Sequence, residues 1–118
     1  MSSAASTVLV VEDEEESRET LRELLELRGY RVRTAMNGRE ALDTLTASGD
    51  EICIVLLDLF MPVMNGWQVI DQLRADGRLA STKIVIITSA AYRAPTGMPV
   101  FEKPLDLDKV MGAVQSLC

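Results

Sequence analysis

Three carboxylates follow apolar runs that are long enough to form buried strands. Glu12 and Asp13 come after residues 8–11, and Asp58 comes after residues 52–57. The carboxyl ends of neighbouring strands in a parallel sheet face one crevice, so we expect the three carboxylates to converge there. Carboxylate oxygens are common ligands of Mg²⁺ in proteins. The sequence therefore predicts a magnesium site held by Glu12 and Asp13, with Asp58 as both a further ligand and the reactive group.

Two more polar residues lie at the ends of later strands of the same predicted sheet. Thr88 closes the apolar run 83–88, and Lys103 follows the short run 100–102. With the carboxylates they predict phosphoryl transfer to Asp58, which would act as a nucleophile and become an aspartyl phosphate. We expect Lys103 to neutralise phosphoryl charge and the Thr88 hydroxyl to donate to a phosphoryl oxygen. Such catalysis is mostly positioning and charge compensation, so no general base is required.

The composition limits the class of protein. The 118 residues suffice for one domain that buries a core without disulfides or metals. Eighteen acidic against twelve basic residues give a net charge of −6, which argues against direct binding to nucleic acid or to anionic membranes. No apolar run is long enough to span a bilayer, and residues 1–6 lack signal-peptide features. We expect a cytoplasmic domain over residues 7–118, preceded by a flexible leader over residues 1–6.

The sequence contains no histidine, which excludes several chemistries. Ser-His-Asp and Cys-His catalysis, zinc sites built on histidine and a phosphohistidine within this chain are all ruled out. The two cysteines, Cys53 in an apolar run and Cys118 as the last residue, do not form a Cys-x-x-Cys pair. We expect both to be reduced thiols with no disulfide or zinc role.

Strand and helix patterns alternate along the chain. Strands are predicted at residues 7–11, 31–35, 52–57, 83–88 and 100–102, and helices at 15–28, 39–47, 67–75 and 107–117. This alternation predicts an α/β fold with one doubly wound, five-stranded parallel sheet and helices on both faces. The solidly apolar first, third and fourth strands belong in the centre, and the mixed second and fifth strands at the edges. We therefore predict the order 2-1-3-4-5, the flavodoxin-like arrangement.

The connection after the fourth strand is too short for an ordinary crossover. Residues 89–97 separate Thr88 from the fifth strand region, and they include Pro95 and Gly97. A parallel crossover usually takes a dozen or more residues and contains a helix. Residues 90–93 have room for about one turn before proline ends it. We predict that the fourth helix is truncated or absent.

Four motifs at the ends of predicted strands resemble those of the receiver domain of two-component response regulators. They are Val-Val-Glu-Asp-Glu at 10–14, Leu-Leu-Asp-Leu-Phe-Met-Pro-Val-Met-Asn-Gly at 56–66, Ile-Ile-Thr-Ser-Ala at 86–90 and Phe-Glu-Lys-Pro-Leu at 101–105. The resemblance extends over essentially the whole chain. It implies that a histidine kinase or a histidine phosphotransfer protein phosphorylates Asp58 in a Mg²⁺-dependent reaction. It also implies that the Phe60 backbone carbonyl joins the metal ligands and that the Lys103–Pro104 peptide bond is cis.

The implied function is a phosphorylation-controlled signalling switch, not an enzyme that turns over an external substrate. Its output would pass through contacts with an unknown downstream protein, and a homodimer is compatible with this function. The chain departs from the family pattern at Glu12, where aspartate is commoner, and at Val100, where the family usually has Tyr or Phe three residues before the lysine. The resemblance also implies that Phe60 and Ala90, two residues after Asp58 and Thr88, flank the phosphoryl group and tune its hydrolysis. A bulky apolar Phe60 would then obstruct water and lengthen the lifetime of the phosphoryl group.

Two other functions fit parts of the sequence. A degenerate receiver could act as a phosphorylation-independent interaction or dimerisation module. The missing helix and Val100 favour this alternative, whereas the complete set of acids, Thr88 and Lys103 opposes it. A phosphatase of the haloacid-dehalogenase type also forms an aspartyl phosphate, but it requires a second aspartate two residues after the nucleophile. Phe60 occupies that position, so we set this alternative aside.

Overall fold

Strands and helices alternate throughout the part of the chain that the computed structural model describes, residues 6–118. All but the last residue of the predicted leader 1–6 lie outside the described residues. The strands are β1 (Thr7–Val11), β2 (Arg31–Ala35), β3 (Ile52–Asp58), β4 (Ile84–Thr88) and β5 (Val100–Glu102). The helices are α1 (Glu15–Leu27), α2 (Gly38–Ser48), α3 (Gly66–Ala75) and α4 (Leu107–Leu117).

The five strands form one parallel sheet in the order β2-β1-β3-β4-β5, which confirms the predicted topology. The last residue of β1, Val11, pairs with Leu57 near the end of β3. The last residue of β3, Asp58, pairs with Ile87 of β4. The carboxyl ends of the central strands are therefore level, and side chains that follow them meet at one edge.

Each face of the sheet carries its own apolar core. Leu9 and Val11 point to the face covered by α2 and α3, whereas Val8 and Val10 point to the face covered by α1 and α4. Alternation of this kind is the period-two pattern of a strand buried on both sides. Full burial of one such aliphatic side chain contributes about 1.5–3 kcal/mol. None of the helices in residues 6–118 combines the length and apolar character needed to cross a bilayer.

The connection from β4 to β5 contains no α-helix, as predicted. Its only helical part is the 3₁₀ turn Ala91–Arg93. The turn ends before Pro95, and Gly97 adopts a positive φ of 89°. Eleven residues therefore return the chain from the end of β4 to the start of the parallel strand β5, with Ala94 and Met98 packed against the core on the α2 and α3 face.

The prediction of two reduced, unpaired cysteines is wrong. Cys53, near the start of β3, and Cys118, directly after α4, form a disulfide with their Cα atoms 5.4 Å apart. This separation is within the usual range for disulfides. The two residues are 65 positions apart in sequence, and the packing of α4 on the face of the sheet brings them together.

Candidate functional site

The predicted carboxylates converge at the carboxyl edge of the sheet. Glu12, Asp13 and Asp58 each offer an oxygen atom, and these three atoms all lie within 4.8 Å of one another. Glu12 and Asp58 are buried, with 1% and 3% of their surface exposed, whereas Asp13 is open to solvent. A set of oxygen donors with one exposed member fits Mg²⁺, which keeps several water ligands in protein sites.

Lys103 supplies positive charge to this cluster. Its Nζ atom lies 2.5 Å from Glu12 Oε1 and 3.3 Å from Asp58 Oδ2. One ammonium against three carboxylates leaves the cluster with a negative excess, which a divalent cation would neutralise. The Lys103–Pro104 peptide bond is cis, as the resemblance implies.

A short turn follows both Asp58 and Thr88, and in each the side-chain oxygen accepts the backbone N–H of the residue two positions later. The Phe60 backbone N–H donates to Asp58 Oδ1 at 3.2 Å, and the Ala90 backbone N–H donates to Thr88 Oγ1 at 3.1 Å. Thr88 is fully buried, and its carbonyl oxygen accepts a hydrogen bond of 2.8 Å from the Lys103 backbone N–H. The structure thus brings all the residues predicted to act on phosphate to the same edge of the sheet.

Gly66 permits a close approach of α3 to the site. A Cβ atom at this position would lie 2.5 Å from the Asp58 carbonyl oxygen and 2.8 Å from Leu59 Cα. Both neighbours are backbone atoms, so a side chain at this position would require the main chain to shift. The Gly66 backbone N–H instead donates to the Leu59 carbonyl at 3.0 Å, and the Asn65 side chain caps α3 by accepting from the Gln68 backbone N–H. The start of α3 therefore fixes the backbone that follows Asp58.

Arg18 is a positioning residue that the sequence did not reveal. From α1 its Nη1 atom donates to the carbonyl oxygens of Glu12 and Asp13, at 3.0 and 3.3 Å. These bonds hold the loop that presents both predicted metal ligands. A lone arginine on a polar helix face gives no sign of such a role, because helix periodicity does not specify contacts with a preceding loop.

The environment of the cluster shifts three pKa values. Burial raises the pKa of Glu12; the Lys103 hydrogen bond opposes this rise and the Asp58 charge adds to it. Burial also raises the pKa of Asp13, as do the hydrogen bond and charge of Glu12. Burial alone would lower the pKa of Lys103, but the Glu12 hydrogen bond and the Asp58 and Glu12 charges outweigh it, so that pKa is raised.

Mg²⁺ affinity is expected to fall as the pH is lowered from neutral into the acidic range, because protons then compete for the Glu12 and Asp13 carboxylates, whose pKa values lie above their ordinary values of about 4.3 and 3.9. Where Glu12 and Asp13 titrate, they bind more protons in the folded chain than in the unfolded chain. Without Mg²⁺, the contribution of these two groups to the free energy of unfolding therefore rises as the pH falls. Calorimetric titration of Mg²⁺ across this range measures the first effect. Glu12→Gln should flatten the pH dependence, and an affinity independent of pH in the unmodified chain would contradict the prediction.

An open groove of about 520 Å³ begins at Lys103 and continues between α1 and the loop that precedes α4. Leu21, Leu105 and Leu107 line its apolar part, and Glu14 and Ser17 line its polar part. Lys103 belongs both to the groove and to the cluster, and its ammonium lies 3.3 Å from Asp58 Oδ2.

Comparison with known proteins identifies sequences and structures that share this arrangement. The family model described as "Response regulator receiver domain" matches residues 8–115. Response regulator MprA of Mycolicibacterium vanbaalenii is 31% identical over 115 residues, covering 93% of this chain and 49% of that protein. Transcriptional regulatory protein CpxR of Escherichia coli is 39% identical over 82 residues, covering 70% of this chain and 33% of that protein. The chain spans at most about half the length of these curated relatives.

Solved structures match over nearly the whole chain. Response regulator protein TrrA from Thermotoga maritima, solved in complex with Mg(2+)-BeF, has a TM-score of 0.83 at 30% identity and covers 96% of this chain and 99% of that one. A response regulator receiver protein from Pseudomonas putida has a TM-score of 0.85 at 29% identity, with coverage of 98% and 99%.

Proposed function

The chain belongs to the response regulator receiver domain family, and from this we propose that it is a signalling switch controlled by phosphorylation of Asp58. The observation that carries the proposal is the position of Asp58. Its buried carboxylate lies both within the cluster of oxygen donors and 3.3 Å from the Lys103 ammonium. An aspartate placed between a site for Mg²⁺ and a fixed positive charge is suited to accept a phosphoryl group.

In the proposed reaction a carboxylate oxygen of Asp58 attacks the phosphorus of a phosphohistidine on a partner protein. A P–O bond to Asp58 forms while the P–N bond to the imidazole breaks, and the imidazole nitrogen keeps the electron pair. Lys103 neutralises charge on the phosphoryl oxygens, and the Thr88 hydroxyl donates to one of them. Glu12 and Asp13 would hold Mg²⁺ with Asp58 and the Phe60 carbonyl. When bound, this ion would supply further positive charge to the phosphoryl oxygens.

The proposed phosphodonor is a histidine kinase or a histidine phosphotransfer protein in the cytoplasm. We propose that it docks in the groove beside Lys103, because that surface contains a residue in contact with Asp58 and offers apolar contacts. The chain promotes its own phosphorylation and dephosphorylation and does not turn over an external substrate. The missing fourth helix favours a phosphorylation-independent module, but the intact contacts of Asp58 and Lys103 support the switch.

Binding of beryllofluoride tests the proposal. The unmodified chain is expected to bind it only with Mg²⁺, and Asp58→Asn is expected to abolish the binding, because beryllofluoride requires the carboxylate that would carry phosphate. Asp71→Asn, an exposed change on α3, is the matched control and should bind normally. Equal behaviour of the unmodified chain and Asp58→Asn would instead favour the phosphorylation-independent module. Labelling from a phosphohistidine donor then tests the proposed source of the phosphoryl group.

A further inference from the structure

Arg93 joins two loops that flank the proposed phosphoryl site. Its guanidinium carbon lies 5.3 Å from the centre of the Phe60 ring and 4.9 Å from that of the Trp67 ring. The two rings meet edge to face, with their centres 5.2 Å apart. Trp67 Nε1 also donates to the Arg93 carbonyl oxygen at 3.1 Å. We call the cluster of Phe60, Trp67 and Arg93 the Arg93 clasp.

Both loops begin at residues of the proposed site. The first loop leaves β3 at Asp58, whose Oδ1 atom accepts the Phe60 backbone N–H. The second leaves β4 at Thr88, whose hydroxyl accepts the Ala90 backbone N–H, and the Arg93 backbone N–H donates to the Ala90 carbonyl at 3.0 Å. The Arg93 clasp therefore closes a continuous path of contacts between the phosphate acceptor and the threonine.

The clasp attaches the segment that has no fourth helix. This segment, between β4 and β5, has only the turn Ala91–Arg93 as regular structure, and Tyr92 is 87% exposed. By contrast, Trp67 lies in the first turn of α3, which is fixed by the Asn65 cap. A guanidinium between two aromatic rings gains cation–π attraction, and this attraction is strongest with tryptophan. The segment between β4 and β5 is thus attached to the first turn of α3.

We propose that Arg93 is a positioning residue that, through Phe60, keeps water away from the phosphorylated Asp58 and lengthens the lifetime of the phosphoryl group. This proposal rests on the proposed function. In hydrolysis a water oxygen attacks phosphorus, the P–O bond to Asp58 breaks, the carboxylate leaves with the electron pair, and both water protons remain on the released phosphate as H2PO4⁻. With the clasp formed, the Phe60 ring has both the Trp67 ring and the Arg93 guanidinium as neighbours. Without the guanidinium the Phe60 ring keeps only its contact with Trp67, moves more freely and admits water more easily.

The lifetime of the phosphoryl group tests this role. The chain is phosphorylated with acetyl phosphate, excess donor is removed, and loss of label is followed for the unmodified chain, Arg93→Ala and Arg93→Lys. We expect hydrolysis about fivefold faster in Arg93→Ala, which loses the contacts of the cation with both rings, and within about twofold of the unmodified rate in Arg93→Lys, which keeps a cation over the rings. Equal rates for the unmodified chain and Arg93→Ala, or a lysine variant as fast as the alanine variant, would overturn the proposal.

Fluorescence separates this proposal from the proposed function. Trp67 is the only tryptophan in the sequence, so its emission reports on the clasp without phosphorylation. We expect Arg93→Ala to change that emission, whereas Arg74→Ala, an exposed change on α3, should alter neither emission nor lifetime. An unchanged spectrum in Arg93→Ala would overturn the clasp even if phosphorylation is normal. Failure of the unmodified chain to accept phosphate would instead overturn the proposed function and, with it, the effect on lifetime.

Discussion

Replacing Lys103 with methionine is expected to slow phosphorylation of Asp58 by about a hundredfold or more, the usual effect of removing one preorganised electrostatic contact from a reacting group. Methionine preserves an unbranched side chain but removes the ammonium that contacts Asp58 and Glu12. The negative charge of the incoming phosphoryl group would then meet carboxylates without that compensation. The measurement is the initial rate of labelling by acetyl phosphate at saturating Mg²⁺.

The same substitution should strengthen Mg²⁺ binding. Lys103 competes with a metal for the Glu12 and Asp58 oxygens, so its removal leaves both carboxylates to the cation. Faster metal uptake or tighter binding combined with slower phosphorylation would identify charge compensation as the role of Lys103. A damaged site would instead lose both properties, and that result would contradict the prediction. Lys103→Arg, which keeps the charge on a bulkier head group, is the control and should show Mg²⁺ affinity close to that of the unmodified chain.

Reduction of the Cys53–Cys118 disulfide is expected to lower the free energy of unfolding by about 4 kcal/mol, because a closed loop of this length strongly restricts the unfolded chain. For a domain of this size the melting temperature should fall by roughly 10–20 °C. Urea unfolding with and without a thiol reductant measures the difference. Titration of free thiols in the denatured chain establishes which form is present in each sample.

The double variant Cys53→Ser/Cys118→Ser provides the control for reductant effects. It should unfold at the same urea concentration as the reduced chain and should not respond to the reductant. Two titratable thiols in the chain before reduction, or identical unfolding curves in both conditions, would contradict the disulfide and the stabilisation attributed to it.

Sequence patterns predicted which strands are central because those strands are strongly apolar and end abruptly, as the six apolar residues before Asp58 illustrate. The full order 2-1-3-4-5 also drew on the known flavodoxin-like arrangement. Helix starts were less accurate. The predicted helices at 39 and 67 begin one residue earlier in the structure, because Asn37 and Asn65 accept backbone N–H groups and cap each helix before the first apolar residue.

The candidate site was predictable only as far as strand ends could define it. Glu12, Asp58 and Lys103 could be assigned to one edge because parallel strands share a direction. Contacts between loops carry no such signal. Nothing in the spacing of Arg93 relates it to Phe60 or Trp67, and neither cysteine has a nearby partner in sequence. Such contacts depend on how α3 and α4 pack, which hydrophobic periodicity does not determine.

The disulfide also restricts how β3 can move. This strand has Cys53 near one end and Asp58 at the other, about 17 Å apart at the usual rise per residue. While the disulfide is intact, β3 cannot slide along α4, because their shared end is covalently joined. One end of the strand is thus covalently attached to α4, and the other carries the reactive carboxylate. We therefore expect phosphorylation of Asp58 to displace the surrounding loops and to leave the sheet in place.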